Sequence, residues 1–190
     1  MAQYAIDVSS ASDIATGIKF ASENNIRLTV KNTGHDLLGR SSGQGSLALW
    51  THHMKDVTFL KSYSSPKYSG PAAKVGAGVQ VHDVYTAASA AGYRLVGGGC
   101  PTVGLAGGWL SGGGHGPLTA AYGLGADEAL EYEVVTAKGT HLVATPTQNS
   151  DLYWALSGGG AGNYAVIVSL TLKAHAGICH SLLSRLKMVI

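Results

Sequence analysis

His35 and Cys100 each stand in a glycine-rich loop, one presenting an imidazole and the other a thiol. The first loop reads Lys31-Asn32-Thr33-Gly34-His35-Asp36-Leu37-Leu38-Gly39-Arg40-Ser41-Ser42-Gly43. The second runs from Gly97 to Gly116, and ten of its twenty residues are glycine. Glycine lets a ligand approach the backbone closely and tolerates positive φ. Successive bare amides form concavities that bind anions such as phosphate. A loop with one imidazole and a loop with one thiol therefore suit a ligand that carries both a pyrophosphate and an electrophilic ring. Cys100 also has a plainer reading as a small buried hydrophobe. Apolar core strands, however, do not surround a cysteine with glycine and proline.

Flavin adenine dinucleotide (FAD) meets that description. The two loops, in this order, resemble the flavin-binding module of the vanillyl-alcohol-oxidase superfamily, specifically the fungal berberine-bridge-enzyme-like oxidoreductases with a PCMH-type FAD-binding domain. The resemblance covers Tyr4 to Lys173. In that family the His of the Gly-His-Asp loop bonds to the flavin 8α-methyl. The Cys of the Gly-Gly-Cys-Pro-Thr-Val-Gly loop bonds to flavin C6. The matching positions are His35 and Cys100, so the resemblance implies bicovalent FAD. It also implies cofactor contacts at Thr33, Gly34, Asp36, Gly39, Arg40, Ser41 and Ser42 in the first loop. In the second loop it implies them at Thr102, Val103, Gly104, Gly107, Gly108, Gly113, Gly114, His115 and Gly116. The run Tyr122 to Asp127 would pass the flavin, with contacts at Ala126 and Asp127. The turn Ser157 to Tyr164 resembles the one lining the adenosine side, with Gly162 and then Val166 as contacts.

Gly76-Ala77-Gly78 lacks the third glycine and the acidic residue of a dinucleotide-fold fingerprint. It reads instead as a strand ending in a tight turn near the flavin. His115 reads equally as a structural loop residue or a catalytic one. His52 and His53 read as polar residues beyond a strand end, and no zinc-ligand spacing surrounds them.

The chain's 190 residues suffice for one domain with a real core. Hydrophobic residues make up 45% and charged residues 13%, which excludes a disordered chain. A net charge of +2 without a basic stripe argues against a nucleic-acid partner. No apolar stretch is long enough to span a bilayer. The N-terminus has no basic region followed by an apolar run, so no secretory leader is read there. Relatives often enter the secretory pathway, so a chain shortened at its front or a cytosolic variant is expected, and the compartment stays open.

These loops must be held by regular elements. Tyr4 to Val8 reads as a strand, and Ser10-Ala11-Ser12-Asp13 resembles a capping box opening a helix. Asn24-Asn25 ends that helix, and Ile26 to Val30 is a strand leading into the His35 loop. Leu47 to Trp50 is the next strand. Val57 to Leu60 and Ala73 to Gly76 flank a variable turn from Ser62 to Pro71. A helix from Val81 to Ala91 stops at Gly92, and Arg94 to Val96 feeds the Cys100 loop. Ala129 to Thr136 and His141 to Thr145 bracket a Lys138-Gly139 turn, a hairpin signal. Asp151 to Leu156 is a short helix capped by Asn149 or Ser150, and Tyr164 to Lys173 alternates as a long strand. The fold class is α+β: a small βαβ lobe and an antiparallel sheet lobe with FAD between them.

The expected domain is 1–173, incomplete at its front, with 174–190 a tail outside the family pattern that contains Cys179. No segment resembles the family's substrate domain, so a catalytic base and substrate are not assigned. Three function classes follow: an FAD-linked oxidoreductase, a flavin-binding piece without turnover, and a non-enzymatic module with vestigial loops. The first would take hydride from an alcohol or amine carbon of a small-molecule substrate, with oxygen reoxidising the flavin. Secondary metabolism is its expected setting, and no protein partner is expected.

Overall fold

The computed structural model describes residues 2–177. Its first lobe contains β1 (Tyr4–Asp7), α1 (Ala11–Glu23), β2 (Leu28–Lys31) and β3 (Leu47–Trp50). The three strands are parallel in the order β1-β3-β2. Parallel neighbours cannot be joined by a tight hairpin. The β2–β3 connection must therefore be long, and it is this connection that carries His35. The Ser10 hydroxyl caps α1 by accepting the Asp13 amide at 3.2 Å. Such a cap stabilises a helix by about 1 kcal/mol. The reciprocal half of the box is displaced by one residue, because the Asp13 carboxylate accepts the Ser9 amide at 3.0 Å and the Ser9 hydroxyl at 2.9 Å.

The second lobe begins with β4 (Val57–Ser65), β5 (Tyr68–Gly76), α2 (Val81–Ala90) and β6 (Tyr93–Arg94). The short helices α3 (Thr119–Tyr122) and α4 (Gly125–Glu128) follow, then β7 (Ala129–Thr136) and β8 (His141–Ala144). The described chain finishes with α5 (Ser150–Leu156), β9 (Ala165–Lys173) and β10 (His175–Ala176). Five strands form an antiparallel sheet ordered β4-β5-β9-β7-β8. The α+β architecture with a βαβ lobe and an antiparallel lobe is thus present.

Three local expectations change. Most of the supposed turn from Ser62 to Pro71 is strand, since β4 and β5 pair out to Ser65 and Tyr68 around Pro66-Lys67. An irregularity between Leu60 and Tyr63 absorbs the uneven pattern that made this stretch read as a loop. Helix α5 is preceded by Asn149, but in the left-handed conformation (φ 50°), with no side-chain cap. The Asn149 amide donates to the Val143 carbonyl instead, at 2.7 Å. The third change lies beyond Lys173, where β10 pairs with β6, placing His175 opposite Arg94. Cys179 and the rest of 178–190 lie outside the described residues.

Two hydrophobic clusters sandwich the large sheet. One gathers Val79, Val84, Leu95, Leu105, Leu110, Tyr132, Leu156, Leu170 and Leu172 between the sheet and α2 and α5. The other joins Val135, Val166 and Val168 to Ile14 and Ile18 of α1 and to Leu49 of β3. Strand β9 is therefore central and buried on both faces, so its alternating residues enter different cores. The second cluster ties the two lobes together. Gly76 and Gly78 belong to the same junction: a Cβ on either would strike backbone atoms of Met54 or His52. Their small size serves close packing of the lobes, not the approach of a ligand.

Candidate functional site

His35 leaves the carboxyl end of β2, and its loop is shaped from within. Gly34 and Gly39 take positive φ (86° and 71°). The Asp36 carboxylate accepts the Arg40 amide at 2.6 Å and the Arg40 guanidinium at 2.7 Å. That guanidinium holds the Asp36 carboxyl below its ordinary pKa. Asp36 and Arg40, both expected to contact a cofactor, are thus paired with each other and set the loop's turn. Ser41 Oγ is buried and has no hydrogen-bond partner, and Ser42 closes a short turn of helix from Arg40.

The Cys100 loop is strapped to the start of α2. The His82 amide donates to the Pro101 carbonyl and the Val81 amide to the Val103 carbonyl, both at 2.9 Å. The Leu105 amide donates to the Val79 carbonyl at 3.0 Å. The Gln80 side-chain amide donates to the Thr102 carbonyl at 3.1 Å. Lys55, from the segment joining β3 to β4, fixes Gln80 by donating to its Oε1 at 2.9 Å and to Asp83 at 2.8 Å.

The two loops meet at Thr102. Its hydroxyl lies 2.7 Å from His35 Nε2 and 3.7 Å from Cys100 Sγ. The backbone amide and hydroxyl of Thr102 hold the Cys100 thiol below its ordinary pKa. His35 and Cys100 are both exposed. An imidazole and an acidified thiol thus face the same solvent-open space from two lobes, and thiolate is the reactive form of cysteine.

The glycines of the second loop divide into two groups. Gly97 accommodates the Tyr85 ring. Gly98, Gly114 and Gly125 surround the Trp109 indole, which donates to the His115 carbonyl at 3.2 Å. A Cβ on Gly116 would strike the Gly97 carbonyl, and one on Gly104 would strike the Asn32 amide. Those glycines pack the loop against itself and its neighbours. Gly99, Gly107 and Gly113 have nothing within 4 Å of an added Cβ, and neither have Gly39 and Gly162. Bare backbone facing open space is the feature a ligand requires.

The remaining expected contacts lie around this loop, with one exception. The Ala126 amide donates to the Gly113 carbonyl at 2.9 Å, bringing Ala126 and Asp127 against it. Asp127 accepts the Leu124 amide at 2.9 Å and so shapes its own turn. The Gly160 amide donates to the Ser111 carbonyl at 2.7 Å, docking the turn that contains Gly162. Gly108 lies beside Ala161 of that turn. Thr33 and Val103 are half-buried, and the His115 side chain is exposed. Val166 is the exception: its side chain is buried in the inter-lobe core.

Asn32, Gln80 and Lys55 also shape the site, and their hydrogen bonds span long stretches of chain, which hid them in the sequence. Only Gln80 left a local trace, because the Asp83 carboxylate three residues on accepts its backbone amide at 3.0 Å. His52 differs from the expected surface residue, whereas His53 is exposed beyond the end of β3, as expected. His52 stacks on Trp50 (centroids 5.5 Å apart, planes 5° apart), and burial together with the charges of Lys55 and His53 pushes its pKa down. His53 pairs with Asp7 at 2.9 Å.

The residues present fit a flavin dinucleotide on three grounds. The orphaned Ser41 hydroxyl and the bare glycine backbone suit phosphate, and the paired imidazole and thiol suit two positions of one ring edge. Fold and site together define a two-lobed cofactor-binding domain whose candidate site draws His35 and Cys100 from different lobes. The FAD binding domain family matches residues 2–145, and the chain belongs to it. A bifunctional decalin synthase of Penicillium decumbens is 57% identical over 172 residues, which are 90% of this chain and 30% of that protein. A VAO-type flavoprotein of known structure from Myceliophthora thermophila C1 is 55% identical with a TM-score of 0.89, over 90% of this chain and 31% of its own. A BBE-like protein of Arabidopsis thaliana gives 27% identity and a TM-score of 0.79, over 90% of this chain and 34% of its own. The chain is thus an FAD-binding domain that shares its fold with VAO-type and berberine-bridge-like flavoproteins. It spans about 30% of the length of these relatives.

Proposed function

We propose that this domain holds FAD at two points, through His35 and Cys100, as part of an FAD-linked oxidoreductase acting on a small metabolite. The observation that carries this reading is the convergence of His35 Nε2 and Cys100 Sγ on the Thr102 hydroxyl. A ring clasped by residues of both lobes has its orientation fixed, and orientation is what the protein contributes to cofactor chemistry. When bound, FAD would supply hydride acceptance from an alcohol or amine carbon, with oxygen as final acceptor. Ser41 and the open amides around Gly107 and Gly113 would hold its phosphates. The relation to a decalin synthase favours a biosynthetic setting in secondary metabolism.

A second reading is favoured by the share of its relatives that the chain spans: by itself it binds flavin without turning over substrate. Both readings share one test of attachment. The protein is loaded with FAD, denatured in acid, digested, and weighed by mass spectrometry. Peptides bearing His35 and Cys100 should both carry flavin mass. Unmodified masses for both in a flavin-loaded sample would sink the two-point attachment. Peroxide production from a supplied alcohol then separates the oxidoreductase from the binding piece.

A further inference from the structure

Asn32 stands three residues before His35, and its side chain is wedged between both lobes. Its Nδ2 donates to the Ala77 carbonyl, at the exit of β5, at 3.0 Å. Its backbone carbonyl accepts the Trp50 indole N–H at 3.0 Å. Its Oδ1 lies 3.0 Å from His52 Nδ1. Its amide also fills the space that a side chain at Gly104 would occupy, two residues beyond Thr102. Asn32 thus ties the base of the His35 loop to the end of β3 through its backbone carbonyl, and to the exit of β5 and the Cys100 loop through its side chain.

The hydrogen-bond inventory fixes the state of His52. Because Nδ2 of Asn32 is used toward a carbonyl, the edge facing His52 is Oδ1, which can only accept. His52 Nδ1 must therefore carry a proton, and that bond prevents the Asn32 amide from flipping. The ring is itself immobilised by its stack on Trp50.

We propose that Asn32, locked in one orientation by the Nδ1–H of His52, is the positioning residue that sets the approach of His35 to Thr102 and Cys100. The inference rests on the two-point attachment proposed above. The two loops differ in what holds them. The Cys100 loop has its own straps to Val79, Gln80, Val81 and His82. Among the described residues, the His35 loop is registered against it through Asn32 and the Thr102 contact. Loss of Asn32 should therefore release His35 and leave Cys100 in place.

The test compares the wild-type chain with Asn32→Ala, His52→Ala and His52→Asn, each loaded with FAD and checked for native circular dichroism. Asn32→Ala and His52→Ala should lose the His35 adduct while keeping the Cys100 adduct. His52→Asn should retain both, because its amide can donate from the place of Nδ1. Both adducts at wild-type levels in the two alanine variants would overturn the inference. The flavin-free chain gives an independent reading by NMR. A nuclear Overhauser contact between the His35 ring and the Thr102 methyl should be present in the wild type and lost in Asn32→Ala. Its persistence there overturns the inference too, whereas a wild type lacking both adducts overturns two-point attachment itself. Should Asn32→Ala not fold, Gly104→Ala presses on the same amide from the opposite side and should give the same loss.

Discussion

His175 donates through Nε2 to the Glu128 carboxylate while its ring lies on Tyr122, with centroids 3.7 Å apart and planes 17° apart. Glu128 is 2% exposed and also accepts from Lys173 Nζ at 3.2 Å. Lys173 and His175, from the end of the described chain, therefore close over a buried carboxylate at the start of β7. The same Tyr122 hydroxyl accepts from Arg94 at 3.2 Å, which links β6 to the cluster.

Breaking one member of a buried charged group leaves the others uncompensated, which costs about 3–5 kcal/mol. Glu128→Ala should therefore lower the urea midpoint strongly, and His175→Ala should do so less, because Lys173 remains. Equilibrium unfolding followed by circular dichroism measures both. A Glu128→Ala midpoint equal to wild type would mean the cluster does not stabilise the fold.

Acid should weaken the large sheet through Glu133. Burial pushes its carboxyl up, but Lys74 at 2.8 Å, Ser169 at 2.6 Å and His141 at 2.9 Å outweigh it and bring the pKa down to about 2. A carboxyl with a lower pKa in the folded state stabilises that state above its ordinary value of 4.5. The contribution is lost as pH falls from there toward about 2. Glu133→Gln should flatten the fall in thermal midpoint across that window. An unchanged acid limb in the variant would show that other carboxylates govern it.

The acidified thiol can be read directly in the flavin-free chain. The rate of Cys100 alkylation by iodoacetamide should rise with pH around a midpoint below that of an ordinary cysteine. Thr102→Val should move the midpoint upward only in part, because the larger effect comes from the Thr102 backbone amide and the smaller from its hydroxyl. A midpoint unmoved by Thr102→Val would remove the hydroxyl from the account.

What the sequence disclosed follows from how local each signal is. The capped helix α1, the Lys138-Gly139 hairpin and the glycine after α2 rest on a few adjacent residues, and each is present. The His35 and Cys100 loops were legible as a pair because unusual composition marks them. Two features were not. Asn32 hydrogen-bonds to Ala77, 45 positions away, and packs on Gly104 farther still, so no window of sequence contains its role. Glycine is also ambiguous by itself: Gly98 and Gly114 make room for Trp109, whereas Gly107 faces open space. The burial of the Val166 side chain was not legible for a related reason, since a strand buried on both faces gives no sign of which core its residues enter.

That ambiguity of glycine yields the final prediction. A side chain at Gly107 meets nothing in the protein, whereas one at Gly104 collides with Asn32. Gly107→Val should therefore leave the thermal midpoint of the flavin-free chain near wild type and sharply lower flavin occupancy. Gly104→Val should lower the midpoint even without flavin, because it displaces a half-buried amide bonded to Ala77 and His52. Differential scanning fluorimetry of flavin-free protein, paired with absorbance of loaded protein, separates the two effects. If Gly107→Val binds flavin as wild type does, the open backbone there is not part of the cofactor cradle.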